Sequence, residues 1–334
     1  MAKVLVTGGL GFLGSHLVEA LCGKGENVTV VDNLSANVIS PEFCRGRCEF
    51  YSADILDFQA PVRFDAIYHL ANTVGSTRIL PFGGILGYQV IAGIETILNL
   101  ATQHRASVVY LSSSDVYGRA QWLSEESPTQ QSSVVTPRRE YAVSKLLAEI
   151  MLLNGARANG LRVNIIRPFN IAGPRQLPGP GFVIPRFITA ALAGAPLTVF
   201  GDGSQVRSFV HVTEVAEACQ LVGGSHLRGE VINVGNPSNV VSIYELANRI
   251  VSLCQSDSPI EFVDPHVVYG EMYDDGVSKL PVIDKVTSQL GWAPQLNLNS
   301  ILEDSLRWLA ANREEWNGKR NQHSAVSERT GHEQ

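Results

Sequence analysis

Long apolar runs are missing from this chain: no stretch approaches the ~18 residues needed to cross a bilayer. An excess of positive charge is missing too. Twenty-six lysines and arginines stand against 32 acidic residues, a net charge of −6, which leaves no electrostatic footprint for nucleic acid. Cysteine is sparse and scattered, at Cys22, Cys44, Cys48, Cys219 and Cys254. Cys44 and Cys48 alone have the spacing of a metal half-site, but no second pair follows at zinc-like spacing. The five are therefore expected to be reduced thiols in a cytoplasmic protein, with no metal. A signal-peptide layout is also lacking, because Lys3–Thr7 reads as a buried strand running straight into glycines. Repeats are absent, and low complexity is confined to the polar stretch 317–334, expected to be a disordered tail. With 334 residues and a hydrophobic fraction of 45%, the chain can build one large α/β unit and a smaller second lobe.

Gly8-Gly9-Leu10-Gly11-Phe12-Leu13-Gly14 follows that first strand at once, and Ser15–Cys22 has a helical pattern. Strand, glycine loop and helix together are the setting a dinucleotide fingerprint needs. The glycines allow a tight turn and let backbone N–H groups approach a pyrophosphate. A second strand, Asn27–Val31, ends at Asp32, about 20 residues on, where a carboxylate would take the ribose hydroxyls. Asp32 would repel a 2′-phosphate, and Asn33-Leu34-Ser35 offers no arginine. NAD is thus expected rather than NADP.

Further alternation follows: strands at 49–52, 66–71, 108–111 and 163–167, with a long apolar helix over 85–104. This pattern predicts an α/β fold with a doubly wound parallel sheet whose ligands bind off the carboxyl ends of the strands. Ser112-Ser113-Ser114-Asp115 sits at such an end. The Gly/Pro-rich run 173–181 is the candidate boundary to the second lobe. Beyond it the sequence predicts a helix over 182–193, strands over 197–200, 206–212 and 231–235, a helix N-capped by Ser242, and a last helix over 298–312.

One short stretch carries the chemistry. In Tyr141-Ala142-Val143-Ser144-Lys145 a phenol and an amine lie four residues apart, on one face of a helix continued by Leu146, Leu147, Ile150 and Met151. An ammonium beside a phenol favours the phenolate, so Tyr141 is expected to have a lowered pKa and to act as a general base.

Taken together, TGGLGFLG (7–14), Asp32-Asn33, His69-Leu70-Ala71, SSSDVYG (112–118), YAVSK (141–145), RPFNIAGPRQ (167–176), LTVFGDGSQVRSFVHV (197–212) and LGWAP (290–294) resemble the extended short-chain dehydrogenase/reductase family. These are the NAD-dependent nucleotide-sugar epimerases, dehydratases and decarboxylases, and the likeness covers roughly residues 3–312. It implies a Rossmann-type domain over 1–175, joined by returning segments near 206–238, and a nucleotide-sugar-binding lobe over 176–316. The family's catalytic serine, tyrosine and lysine fall on Ser113, Tyr141 and Lys145. Cofactor contacts fall on Gly8, Gly11, Phe12, Leu13, Asp32, Asn33, Asp54, Ile55, Leu70, Ala71, Tyr141, Lys145 and Pro168. Substrate contacts fall on Asn170, Val183, Phe200 and Arg207, the last suited to a diphosphate. A homodimer through the 85–104 and 141–155 helices is expected from the same resemblance.

Ser114 and Asp115 bear on the subfamily. Dehydratases of the dTDP-glucose type place Asp-Glu at these two positions, and Ser114 is no such acid. UDP-glucuronate decarboxylases place Ser-Glu, a pattern that Ser114-Asp115 keeps in shortened form, and Lys279 stands where they carry an arginine near the sugar carboxylate. Departures point the other way: Val282 replaces an expected acid, Val90 an expected asparagine, and the segments 73–76 and 181–188 look more epimerase-like. The resemblance therefore implies decarboxylation of UDP-glucuronate to UDP-4-keto-pentose, UDP-xylose or both. Oxidation at C4 makes the uronate a β-keto acid, and Ser114, Asp115 and Lys279 lie near C5. A UDP-hexose or UDP-hexuronate 4-epimerase is the alternative. A catalytically inert redox-sensing protein on the same fold would not need Ser113, Tyr141 and Lys145, and all three are present.

Overall fold

A computed structural model describes residues 1–75, 79–118, 122–129, 133, 135–179, 181–273 and 278–313. The tail 317–334, the end of the second lobe beyond 313, Ser76 and Pro180 lie outside the described residues.

The β-branched segment Lys3–Thr7 forms β1, buried from Val4 onward. It passes through the glycine loop into α1 (Phe12–Gly23), then β2 (Asn27–Asp32) and β3 (Glu49–Ser52). β4 (Ala66–His69), α2 (Leu86–His104) and β5 (Ser107–Leu111) follow, then the short β6 (Trp122–Leu123), α3 (Pro137–Asn159) and β7 (Val163–Pro168). The second half contributes β8 (Ile171–Ala172), α4 (Val183–Leu192), β9 (Leu197–Phe200), β10 (Val206–Ser208), β11 (Val210–His211), α5 (Val212–Gly224) and β12 (Val231–Val234). It finishes with β13 (Val240–Ser242), α6 (Ile243–Leu253), β14 (Ile260–Val263), α7 (Pro265–Tyr269), β15 (Leu280–Pro281), α8 (Asp284–Leu290) and α9 (Leu298–Ala311).

Seven strands form one parallel sheet in the order β12-β7-β5-β4-β1-β2-β3. The chain moves outward from β1 through β2 and β3, then returns to β4 on the other side of β1. That reversal opens a crevice at the strands' carboxyl ends, where ligands of such sheets bind. One apolar core joins the sheet to α1 and α5 through Leu13, Leu17, Val215 and Val222. The opposite face packs on α2 and α3 through Ile94, Ile97, Ala148 and Leu152. A third core gathers α4, β9, α6 and α9 around Phe187, Leu246 and Ile301, all fully buried.

Two local expectations need correction. α1 starts at Phe12, not Ser15: Gly11 is the N-cap with extended backbone and gives no side-chain signal to read. The strand expected over 206–212 breaks at Phe209, and α5 begins at Val212, because the His211 side chain accepts a hydrogen bond from Thr213 N (3.2 Å). Among the described residues no helix is long and apolar enough to cross a membrane.

Candidate active site

The crevice is a cleft of about 950 Å³. Its floor begins in the glycine loop. Gly8 has φ +69°, and a Cβ there would lie 2.8 Å from Ala71 Cα; one on Gly14 would lie 2.0 Å from Gly8 O. A side chain at either position would collide with that backbone, so the tight turn and the close packing of α1 on the loop require glycine. The first turn of α1 has no side-chain cap, so its N–H groups remain directed to the cleft end, where an anion is favoured. Asp32, at the end of β2, accepts from Leu10 N (3.0 Å) and Leu34 N (2.8 Å). Burial pushes its carboxyl above the ordinary value despite those bonds. Asn33 Nδ2 donates to Asp54 Oδ2 at 2.9 Å beside it. This donor and acceptor set fits a dinucleotide, with the carboxylate of Asp32 toward the ribose.

Ser113, Ser114, Asp115 and Tyr141 line the same cleft, as do all the nominated cofactor residues except Lys145 and the substrate residues Asn170, Val183, Phe200 and Arg207. The Ser113 hydroxyl donates toward the Tyr141 phenol and also accepts from Asp115 N (3.1 Å). Lys145 lies behind the wall rather than in it. It is 2% exposed, its Nζ donates to Leu111 O (2.8 Å), and it sits 4.6 Å from the Tyr110 ring and 5.9 Å from that of Tyr141.

The expected lowering of the tyrosine pKa is therefore corrected. Burial dominates and holds the Tyr141 phenol well above its ordinary value; Asp115 adds to this, and the Ser113 bond opposes it only in part. Burial also pulls Lys145 down to about 7, with Glu149 partly restoring its charge. Without a further positive charge, the phenol stays neutral at pH 7.

Lys279 is also outside the cleft wall. It is buried and its ammonium is bound to Asp115. Asp115 accepts from Arg138 Nη2 as well (2.9 Å). Burial would raise the Asp115 carboxyl, but Arg138 and Lys279 together hold it well below the carboxylate range. Arg138, in the first turn of α3, was invisible as a site residue because nothing local marks its reach to Asp115. The sequence reading also passed over the pair behind the strand end. Glu149 accepts from Arg167 Nε (2.9 Å) and Nη2 (2.5 Å), and from the Ser112 hydroxyl. At the far end of the cleft, Arg186 stacks 4.6 Å over Phe200, and Tyr273 adds a second ring 6.1 Å from Phe200. Metal-ligating groups of three or more are absent among the described residues.

His69 closes the floor under α2. It hydrogen-bonds Thr7 Oγ1 (2.7 Å) and stacks on Tyr110. Burial, helped by Lys145, pulls it down to about 3, and burial likewise takes His16 to about 4. Both are held neutral in the fold but protonate near 6.5 when unfolded, so the unfolded chain binds more protons between those values. Stability is then lost as pH falls below 6.5, by about 1.4 kcal/mol per pH unit for each histidine. Thermal unfolding should drop steeply from pH 7 to 5, and His69→Asn should flatten that slope. An unchanged slope in the variant would exclude His69 as its source.

Residues 4–235 match the family model described as NAD dependent epimerase/dehydratase family. A UDP-N-acetyl-alpha-D-glucosaminuronate decarboxylase of Bacillus cytotoxicus is 34% identical over 313 residues, covering 92% of this chain and 97% of the relative. UDP-glucuronic acid decarboxylase 1 of Danio rerio is 31% identical, covering 92% and 72%. Among solved structures, MoeE5 in complex with UDP-glucuronic acid and NAD superposes with a TM-score of 0.80 at 28% identity, covering 93% of this chain and 99% of that one. The chain belongs to the NAD-dependent epimerase/dehydratase family, and it is an NAD-dependent enzyme.

Proposed function

We propose that this enzyme decarboxylates a UDP-linked glucuronate through a 4-keto intermediate. The observation that carries the reading is the pairing of Ser113 and Tyr141 with an Asp115 that two cations grip at the same strand end. The decarboxylases among its relatives support it.

Bound NAD+ supplies the two-electron acceptor for C4 of the sugar and, through its positive ring, the charge that favours a Tyr141 phenolate. Tyr141 takes the proton of the 4-hydroxyl. Ser113 donates to the same oxygen and fixes its position. Lys145, anchored on Leu111 O beneath the phenol, contributes positive charge from below rather than a direct contact in this state. Once C4 is a ketone, the carboxylate on C5 is β to it and leaves as carbon dioxide, its electrons delocalised onto the ketone oxygen that Ser113 and Tyr141 face. Asp115, kept ionised by its two cations, is no proton donor at neutral pH; Tyr141, carrying the proton taken in the first step, hydrogen-bonds the enolate oxygen, and C5 takes its proton from water as the enolate collapses to the 4-ketone.

Mass spectrometry of products from UDP-glucuronate, its 2-acetamido counterpart, UDP-glucose and UDP-galactose tests this reading. Loss of carbon dioxide from either uronate, giving UDP-4-keto-pentose or the reduced pentose, is expected. A C4-inverted product of unchanged mass would establish an epimerase instead.

The homodimer belongs to the same proposal. Val143, Leu147 and Ile150 share one face of α3 and are 43%, 44% and 49% exposed, and α2, which packs on α3, exposes Tyr88 at 73%. An apolar strip on two packed helices suits a second copy of the chain. Sedimentation should return a dimer, and Leu147→Asp should shift it toward monomer; a monomeric parent protein would refute the arrangement.

A further inference from the structure

The geometry points to Arg138 as the residue that receives the sugar carboxylate, an inference that rests on the uronate reading above and assigns its specificity. Arg138 precedes Tyr141 by three residues on α3, so the two side chains rise from one helical face about 5–6 Å apart at Cβ. In a uronate the reacting 4-hydroxyl and the carboxylate hang from adjacent ring carbons. A sugar with its 4-hydroxyl on Tyr141 therefore brings its carboxylate within reach of a group one turn away.

Three observations single out Arg138 from the other cations. Its side chain is 20% exposed and forms part of the cleft wall, whereas Lys279 is 9% exposed and lies behind Asp115. Its guanidinium donates to Asp115 Oδ1 at 2.9 Å, which fixes its direction before any substrate arrives. Its charge also reaches the Tyr141 phenol, placing it at the reacting end of the cleft. The groups facing it include Asp115, Lys279 and Tyr141, with Arg207 next to Lys279 across a single β-bridge.

A uronate carboxylate can pair with this planar guanidinium, whereas a neutral hydroxymethyl, as in UDP-glucose, offers it no charge. Asp115 then acts as a positioning residue for the guanidinium.

The test uses calorimetry on the NAD-loaded protein in a Tyr141→Phe background, so that ligand is not consumed. UDP-glucuronate and UDP-glucose are titrated into Arg138, Arg138→Gln and Arg138→Lys forms. With Arg138 intact, UDP-glucuronate should bind more tightly. Arg138→Gln should weaken UDP-glucuronate by at least about tenfold and leave UDP-glucose within about threefold, while Arg138→Lys recovers part of the preference. Retained preference in Arg138→Gln overturns the assignment, and so does equal weakening of both ligands. If the Arg138 form itself shows no preference for the uronate, the uronate reading fails first, which separates the two failures.

Discussion

Replacing Tyr141 with phenylalanine is expected to lower turnover by about 10²–10⁴-fold, the usual worth of a positioned proton-transfer group, while NAD and nucleotide-sugar binding persist. The phenol lies in the cleft wall between the Ser113 hydroxyl and the Lys145 amine. Its ring packs with Ile79 and Leu86, contacts that phenylalanine keeps, so folding should change little. Calorimetric binding together with single-turnover rates separates the two effects. A variant that turns over at the parent rate would show that another group moves the 4-hydroxyl proton. Ser113→Ala should cost less, because it removes one donor and leaves the acid–base group in place.

Glu149→Gln carries the largest expected stability change. Glu149 and Arg167 are 2% and 6% exposed at their side chains, and the carboxylate takes two bonds from the guanidinium. Breaking such a pair leaves a buried, uncompensated cation, at a cost of about 3–5 kcal/mol. In a chain of this size that corresponds to roughly 4–7 °C in unfolding temperature. The same change removes the negative charge that partly restores Lys145, whose amine already lies near 7. Glu149→Gln should therefore also leave Lys145 less protonated at neutral pH, visible as a lower amine pKa in nuclear magnetic resonance titration. An unfolding temperature within a degree or two of the parent would mean that Arg167 finds another partner.

Much of this architecture can be read before any coordinates. Lys3–Thr7, the glycine loop and Asp32 are encoded locally, by β-branched runs and by spacing that only a strand–turn–helix satisfies. Tyr141 and Lys145 declare themselves by a helical interval. Other features depend on what packing brings together. Arg138 meets Asp115 across 23 residues, Lys279 meets it across 164, and Glu149 meets Arg167 from another element. None of these contacts has a spacing to recognise. The tyrosine's raised pKa was hidden for a related reason: the i,i+4 pattern places Lys145 near Tyr141 but says nothing of the burial that raises the phenol, or of Leu111 O, which holds the amine beneath the ring. Gly11 and His211 illustrate boundaries set by caps rather than by periodicity.

The most direct measurement follows two labels through one turnover. UDP-glucuronate carrying carbon-13 at its carboxyl and deuterium at C4 is mixed with NAD-loaded enzyme. Labelled carbon dioxide should form, and the deuterium should appear on the nicotinamide or back at C4 of the pentose product, never in water. Retention of the carbon label in a nucleotide sugar inverted at C4, or loss of the deuterium to solvent, would contradict decarboxylation through a 4-ketone at this site.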